Sequence, residues 1–305
     1  MKIKGSTNIV GLIGHPVEHS FSPPMHNAAF KALGMDYAYV AFDVDPSNLK
    51  SAIGGAKSLN IKGFNVTIPH KIEVMEFLDE IDPVASLIGA VNTIDFKNLK
   101  GYNTDGIGAV RSIEEVTSIK NKNVIVAGAG GASRAISCYL AKYGADSITI
   151  LNRNVERAEK LAGDISDSGL IDDIKSDSIS AINNYLGDAD ILVDTTPIGM
   201  HPHIDDEPIA TFDNMHEDLV VFDAVYNPNE TVLIKEAIKA GAKPVYGIKM
   251  LLYQGAESFK IWTGQDAPID VMENALRQTL NLEWYYGFNV WCFRIEWRKK
   301  GIFKF

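Results

Sequence analysis

The stretch Val124-Ile125-Val126-Ala127-Gly128-Ala129-Gly130-Gly131-Ala132-Ser133 decides the fold. Four apolar residues read as a short buried strand, glycines follow at once, and an Ala-rich segment continues with helical spacing to Tyr143. Strand, tight turn and helix in that order are the setting in which a Gly-x-Gly-x-x-Gly loop binds a dinucleotide. Gly128 permits the turn and Gly130 lets the backbone approach a pyrophosphate. The helix start then offers free N–H groups and the positive end of its dipole. Ser133 replaces the third glycine and is small enough for close helix–strand packing, while Gly131 further loosens the local steric limits. Glycine-rich turns that bind nothing also occur. Here the context favours a cofactor loop built from Gly128, Ala129, Gly130, Gly131, Ala132 and Ser133.

The next strand, read as 147–151, selects the cofactor. An NAD site usually ends this strand with a carboxylate for the ribose hydroxyls, roughly 20 residues beyond the glycines. This chain instead has Leu151-Asn152-Arg153-Asn154, with Arg157 one turn into the following helix. Asn152 is neutral, and Arg153 and Arg157 offer forked donors suited to a phosphate. Two arginines at a helix start can be ordinary solvated surface, although cations there oppose the dipole slightly. An adjacent anion relieves that opposition, so NADP is the expected cofactor.

Outward from this unit, β-branched runs alternate with amphipathic helical ones, as in βαβ units with a mostly parallel sheet. The first half reads as strand 8–13, helix 24–33, strand 37–44, helix 47–57, strand 63–68 and helix 70–78. A strand-like 90–95 and a loop 101–108 follow, then helix 107–115. Beyond the cofactor loop come helix 155–163, strands 190–195 and 219–224, helix 231–240, strand 243–246, and helices 249–262 and 269–280. The expected class is α/β, with 305 residues suggesting two domains.

Composition narrows the function. A net charge of −10 argues against general affinity for nucleic acid or anionic membrane surfaces. Two cysteines, Cys138 and Cys292, exclude a disulfide framework or a Cys-based zinc site. No run of eighteen apolar residues and no signal-like block is present, so a cytoplasmic enzyme is expected. His201-Pro202-His203 with Asp205 and Asp206 reads as solvated surface rather than a metal site, and no metal is expected. Residues 282–305 stand apart: they hold three of the four tryptophans and carry an excess of basic over acidic residues. Trp291, Phe293, Ile295 and Trp297 alternate with polar or small residues in the period of a half-buried strand. This tail is expected to be dispensable for catalysis, whether it is an extension or an intersubunit strand.

Polar clusters fall at strand ends in the first half, where open α/β sheets bind ligands. His19-Ser20-Phe21-Ser22-Pro23 puts two hydroxyls on one side of an extended segment, although Ser22 could simply cap a helix. Asn65 and Thr67 share a strand face, with Lys71 shortly after. Asn92 and Asp105 sit at sheet or loop ends, and Asp105 before Gly106 could be an ordinary turn or helix-capping residue.

In order along the chain these clusters resemble the shikimate dehydrogenase family. The resemblance rests on His15-Pro16 through Asn27, Asn65-Val66-Thr67-Ile68-Pro69-His70-Lys71, Gly89-Ala90-Val91-Asn92-Thr93 and Asn103-Thr104-Asp105-Gly106. It continues through the glycine loop, Asn152-Arg153, Thr195 to Met200, Asp223 to Pro228 and Gly247 to Gly255, covering residues 8–281. It implies a substrate domain of residues 1–106 and 250–281, a Rossmann domain of 107–249, and an active site between them. It further implies reversible NADPH-dependent reduction of 3-dehydroshikimate to shikimate, a step in aromatic amino-acid biosynthesis, and is compatible with a homodimer. Carried over, Ser20 and Ser22 hold the substrate carboxylate, and Asn65, Thr67, Asn92, Asp105 and Gln254 bind the ring hydroxyls. Tyr226 stands near the substrate, Lys71 and Asp105 are the catalytic pair, and Asn154, Thr195, Gly247 and Met250 join the cofactor contacts. Two alternatives stand beside this reading. One is a quinate/shikimate dehydrogenase using NAD, against which Asn152 counts. The other is a non-catalytic metabolite sensor, which loss of Lys71 or Asp105 would have signalled.

Overall fold

A run of apolar residues and glycines, buried from Val10 onward, builds strand β1 (Asn8–Gly14) of the computed structural model, which describes residues 2–280. In chain order follow α1 (Ser22–Ala32), β2 (Tyr37–Asp43), α2 (Leu49–Ser58), β3 (Gly63–Val66), β4 (Glu80–Ile81) and α3 (Pro83–Ile88). Then come β5 (Thr93–Asp95), β6 (Lys100–Tyr102) and α4 (Asp105–Glu114). The second half comprises β7 (Asn123–Ala127), α5 (Gly131–Lys142), β8 (Ser147–Asn152), α6 (Val155–Ser166), β9 (Asp173–Ser178) and β10 (Ile191–Asp194). It continues with β11 (Val220–Asp223), α7 (Val232–Ala240), β12 (Lys243–Tyr246), α8 (Gly247–Thr263) and α9 (Ile269–Thr279).

These strands form two six-stranded sheets. The second has the order β12-β11-β10-β7-β8-β9 and is parallel throughout. That is the doubly wound arrangement, with its switch point between β7 and β10. Its inner strands, β7, β8, β10 and β11, are largely apolar on both faces because helices cover both. Val124, Val126, Ile148 and Ile150 pack towards Ile136 and Leu140 of α5. Ile125, Leu151, Leu192 and Val221 pack towards Leu233 and Ala237 of α7.

The first sheet, β2-β1-β3-β5-β6-β4, is parallel in three of its five pairings, in keeping with the expected mostly parallel arrangement, and only β5 is reversed, running antiparallel to both β3 and β6. A tight return through residues 96–99 replaces the crossover that a parallel connection would need. Corrections concern short elements. Helix 70–78 is only a 3-10 segment, Glu73–Phe77, because the Lys71 carbonyl accepts from Val91 N–H at 2.8 Å instead of joining a helical ladder. The expected loop 101–108 contains the end of β6 and the start of α4. Helix α3 has no counterpart among the expected elements, although Asp82 caps it, accepting from Val84 N–H at 3.0 Å, and Gly89 ends it in the left-handed region. Strand β9 is polar and lies at a sheet edge, so it carries little apolar period. The tail from 282 lies outside the described residues.

Two helices join the halves. Helix α8 begins against the second sheet and ends against the first, where Leu252 and Phe259 meet Val10, Met25 and Phe30. The boundary expected at 249/250 therefore falls inside one continuous helix. Helix α4 lies against both α5 and α8 and needs glycine twice. A Cβ on Gly108 would sit 2.8 Å from both Gln254 N and Met250 O of α8, and one on Gly106 would strike the Ala135 carbonyl of α5. Replacing Gly108 by Ala is expected to force α4 and α8 apart and destabilise the protein by about 1–3 kcal/mol, the usual range for overpacking. Urea unfolding of the variant against the parent measures this; an unchanged midpoint would contradict the close approach.

Candidate active site

Between the two sheets lies a cleft of about 390 Å³. Lys71 and all eight residues expected to bind substrate line it: Ser20, Ser22, Asn65, Thr67, Asn92, Asp105, Tyr226 and Gln254. Of the expected cofactor residues, Ala132, Gly247 and Met250 also line it. His19, Phe21, Ala224 and Leu251 are lining residues that the motifs did not single out for a role.

Lys71 Nζ donates to Asp105 Oδ2 at 2.7 Å, and the two side chains are 31% and 18% exposed. A ligand in the cleft can therefore reach both while the pair is partly shielded from water. Asp105 opens α4, where a helix favours negative charge. Its backbone N–H donates to Asn103 Oδ1 at 3.1 Å, and Asn103 Nδ2 donates to the Ala90 carbonyl at 3.0 Å. Tyr139 of α5 donates to the Asn103 carbonyl at 3.1 Å. The loop carrying Asp105 is thus tied to the helix that begins at the glycine loop.

Behind the pair lies a buried polar network. Asn92 Nδ2 donates to Asp105 Oδ1 at 2.8 Å and to Thr104 Oγ1 at 3.0 Å, while Asn92 Oδ1 accepts from Thr104 N–H at 2.7 Å. Asn65 Nδ2 donates to Ser258 Oγ at 2.8 Å and to Thr93 Oγ1 at 3.1 Å, and Asn65 Oδ1 accepts from the Tyr39 hydroxyl at 2.8 Å. Both amides are therefore heavily committed to the protein. Tyr39 is backed by His26, whose ring stacks on it at 4.4 Å. Burial pushes the His26 imidazole down to about 3, so it serves as a flat neutral ring. Tyr39, Thr93, Thr104 and Ser258 received no role from sequence. Thr93 and Thr104 belong to the motifs at 89–93 and 103–106, whereas Tyr39 and Ser258 carry no local signal.

Ser22 does not cap a helix that starts later, because α1 begins at Ser22 itself with no side-chain cap. Its N–H donates to Ser20 Oγ at 3.2 Å, which holds the two serines together at the cleft. Gln254 Nε2 donates within its own helix to Leu251 O at 3.0 Å. Tyr226 meets Phe21 edge to face across the cleft, with centroids 6.2 Å apart. Burial raises its phenol above the ordinary range, and Lys71 opposes that rise.

The glycine loop fits a pyrophosphate. Gly128 has φ +107, and a Cβ there would strike Thr195 Oγ1. Thr195 Oγ1 in turn donates to the Ala127 carbonyl at 2.7 Å. Ser133 Oγ donates to the Gly128 carbonyl at 2.7 Å, closing the turn where a third glycine is usual. At Gly130 and Gly131 a Cβ would meet no protein atom within 4 Å, so the space over the loop is open. Helix α5 starts there with no side-chain cap and no acid in its first turn. At the end of β8, Asn152 Nδ2 donates to the Asn154 carbonyl at 2.9 Å, and Asn154 Oδ1 caps α6 by accepting from Arg157 N–H at 3.0 Å. Arg153 and Arg157 are exposed, and among the described residues neither has a carboxylate partner. His201, His203, Asp205 and Asp206 are exposed. Among the described residues no helix is long and apolar enough to cross a membrane.

Three family profiles match this chain: shikimate dehydrogenase substrate binding domain at 12–94, shikimate/quinate 5-dehydrogenase at 111–231, and shikimate 5'-dehydrogenase C-terminal domain at 247–277. A shikimate dehydrogenase (NADP+) of Methanobrevibacter smithii is 71% identical over 280 residues, spanning 92% of this chain and all of that protein. A crystal structure of a shikimate dehydrogenase in complex with NADP+ superposes with a TM-score of 0.85 at 53% identity, covering 92% of this chain and 98% of the other. Shikimate 5-dehydrogenase of Listeria monocytogenes, solved with shikimate and NAD, gives a TM-score of 0.86 at 35% identity, covering 90% and 98%.

Replacing Asn92 by Ala is expected to leave the buried Thr104 N–H without its acceptor and to remove the Asn92 donor from Asp105 Oδ1. The expected loss is about 1–3 kcal/mol of stability, read from urea unfolding. A neutral result would mean that the network reorganises freely.

Proposed function

The chain belongs to the shikimate dehydrogenase family, and from that premise we infer which of its residues carry the NADP-dependent interconversion of shikimate and 3-dehydroshikimate that it catalyses. The observation that carries the assignment is the 2.7 Å contact between Lys71 Nζ and Asp105 Oδ2 in a cleft bounded on its other side by Ala132 of the cofactor helix. NADP(H), when bound, supplies or accepts the hydride. In the reducing direction Lys71 Nζ gives a proton to the carbonyl oxygen, which becomes the hydroxyl; in the oxidising direction Nζ takes it back. The ammonium also stabilises negative charge developing on that oxygen. Asp105 fixes Nζ and is itself fixed through Asn92 and the start of α4.

The remaining roles follow from chemistry and position. Ser20 and Ser22 present hydroxyl donors to the substrate carboxylate. Thr67, Asn65, Asn92 and Gln254 face the ring hydroxyls, and Tyr226 closes the cleft from the second half. Residues 1–106 with 250–281 form the substrate-binding unit and 107–249 the cofactor-binding unit. Gly128 to Ser133 receive the pyrophosphate, with Thr195 behind them and Gly247 and Met250 at the nicotinamide side. Asn152, Arg153, Asn154 and Arg157 receive the ribose phosphate that distinguishes NADP from NAD, since no carboxylate at that strand end repels it.

Lys71→Ala is expected to lower kcat by about 10²–10⁴-fold while leaving NADP+ affinity nearly intact. Asp105→Asn should lower kcat as well, and the double variant should lose less than the two separate losses combined, since the residues act as a unit. Near-parental turnover in Lys71→Ala would remove it from the mechanism.

Arg153→Ala is expected to weaken NADP+ by about 10- to 150-fold, the equivalent of one charge-assisted hydrogen bond, and to spare NAD+. Asn152→Asp should shift the preference further towards NAD+. The ratio of kcat/KM for the two cofactors decides this; equal weakening of both would refute the phosphate pocket.

A further inference from the structure

Two carboxyls that the mechanism does not use lie at the ends of two adjacent strands of the second sheet. Asp194 ends β10 and Asp223 ends β11, and the two are paired in register on parallel strands. In-register neighbours point to the same face one strand spacing apart, roughly 4.8 Å. They are 1% and 0% exposed. Register places Ala127 of β7 beside Asp194 and Tyr246 of β12 beside Asp223, while α7 supplies Thr231. Among the described residues neither carboxyl has a cationic partner within ion-pair distance.

Each carboxyl anchors the loop that follows its own strand. Asp194 Oδ1 accepts from Thr196 N–H at 2.7 Å, shaping the turn in which Thr195 backs Gly128. Asp223 Oδ1 accepts from Val225 N–H at 2.9 Å, and its Oδ2 accepts from the Thr231 hydroxyl at 2.5 Å. That second turn delivers Ala224 and Tyr226 to the cleft. The Ala224 N–H donates to the Asp194 carbonyl at 2.9 Å, so the two turns already share a backbone bond. One turn supports the cofactor loop and the other carries the wall over the substrate.

Two buried carboxylates this close, without a cation, cannot both stay ionised. We propose that Asp194 and Asp223 hold a single proton between them, the protonated Asp194 donating to the Asp223 carboxylate, and so lock the Thr195–Thr196 turn to the Val225–Tyr226 turn. Asp223 is the natural acceptor because each of its two oxygens already accepts from a protein donor, Val225 N–H and the Thr231 hydroxyl. The pair acts as positioning residues, touching neither substrate nor cofactor. Burial raises both carboxyls above their ordinary range, and the neighbouring charge adds to the rise at Asp194. The native state therefore retains a proton that the unfolded chain releases. Stability from the pair is complete below the ordinary carboxylate range and declines as pH rises through the raised native values.

The kinetic arm of the test rests on the NADP-linked reading above, whereas the spectroscopic arm does not. Infrared spectra of the full chain labelled with 13C-aspartate are expected to show a protonated carboxyl band at pH 7 that disappears in Asp194→Asn. Absence of the band, or its persistence in both Asp194→Asn and Asp223→Asn, would overturn the proposal. Asp194→Asn should also flatten the decline of Tm with rising pH, and an undiminished decline would count equally against it. In assays with shikimate and NADP+, Asp194→Ala is expected to raise KM for NADP+ fivefold or more with a smaller change in kcat. Asp194→Asn, which keeps an acceptor for Thr196 and a donor towards Asp223, should recover at least half of the lost kcat/KM. Equal loss in both variants would refute the positioning role. An inactive parent enzyme would refute the reaction assignment, while the carboxyl band would still decide the pair.

Discussion

Helix α4 is held between α5 on one side and α8 on the other, and the missing side chains of Gly106 and Gly108 are what let it fit. Because Asp105 is the first residue of that helix, the same close packing that joins the two sheets also sets the carboxylate that holds Lys71. Ion pairs surround the junction: Arg111 with Glu257, and Lys249 with Glu115 and Glu273. These side chains keep 14–37% of their surface exposed, and pairs that water can still screen add little on average. The geometry of the cleft is therefore governed chiefly by backbone proximity, and charge trims it.

Behind the cleft, the network of Tyr39, Asn65, Asn92, Thr93, Thr104 and Ser258 has a cost and a purpose. Burying so many amides and hydroxyls is unfavourable unless each finds a partner, and here the partners are one another. A network satisfied in this way has few alternative arrangements. It holds Asn92 against Asp105, and Asp105 against Lys71, before any ligand arrives. Such preorganisation is what converts bound reactants into an oriented pair. The glycine loop works in the same manner, with Ser133 and Thr195 closing around Gly128 while the space over Gly130 stays open.

Much of this was legible in the residues themselves, and the exceptions share a cause. Strand β7 and helix α5 were readable because apolar period, glycine and helix start lie side by side in the chain. The cap and stop of α3 were written just as plainly in Asp82, Pro83 and Gly89, but so short a helix shows almost no period. Strand β9 escaped because an edge strand need not be apolar. Asp105 looked like a loop residue because two glycines follow it within three positions, and glycine lowers helix propensity. Only the neighbouring backbones of α5 and α8 explain why a helix wants glycine there.

By itself, the sequence determined the dinucleotide loop, the missing carboxylate at the end of β8 and the arginines beside it. It also determined, through the ordered run of motifs, the family to which the chain belongs. These are local properties, since dihedral preference, side-chain period and charge act within a few residues of each other. Tertiary structure alone decided that Asn65 meets Ser258 across 193 residues and that Asp194 faces Asp223. It likewise decided that β5 alone runs against its neighbours in the first sheet. Such pairings depend on strand register and on how layers pack. Register and packing are set by the whole buried surface at once, and no short stretch of sequence carries them.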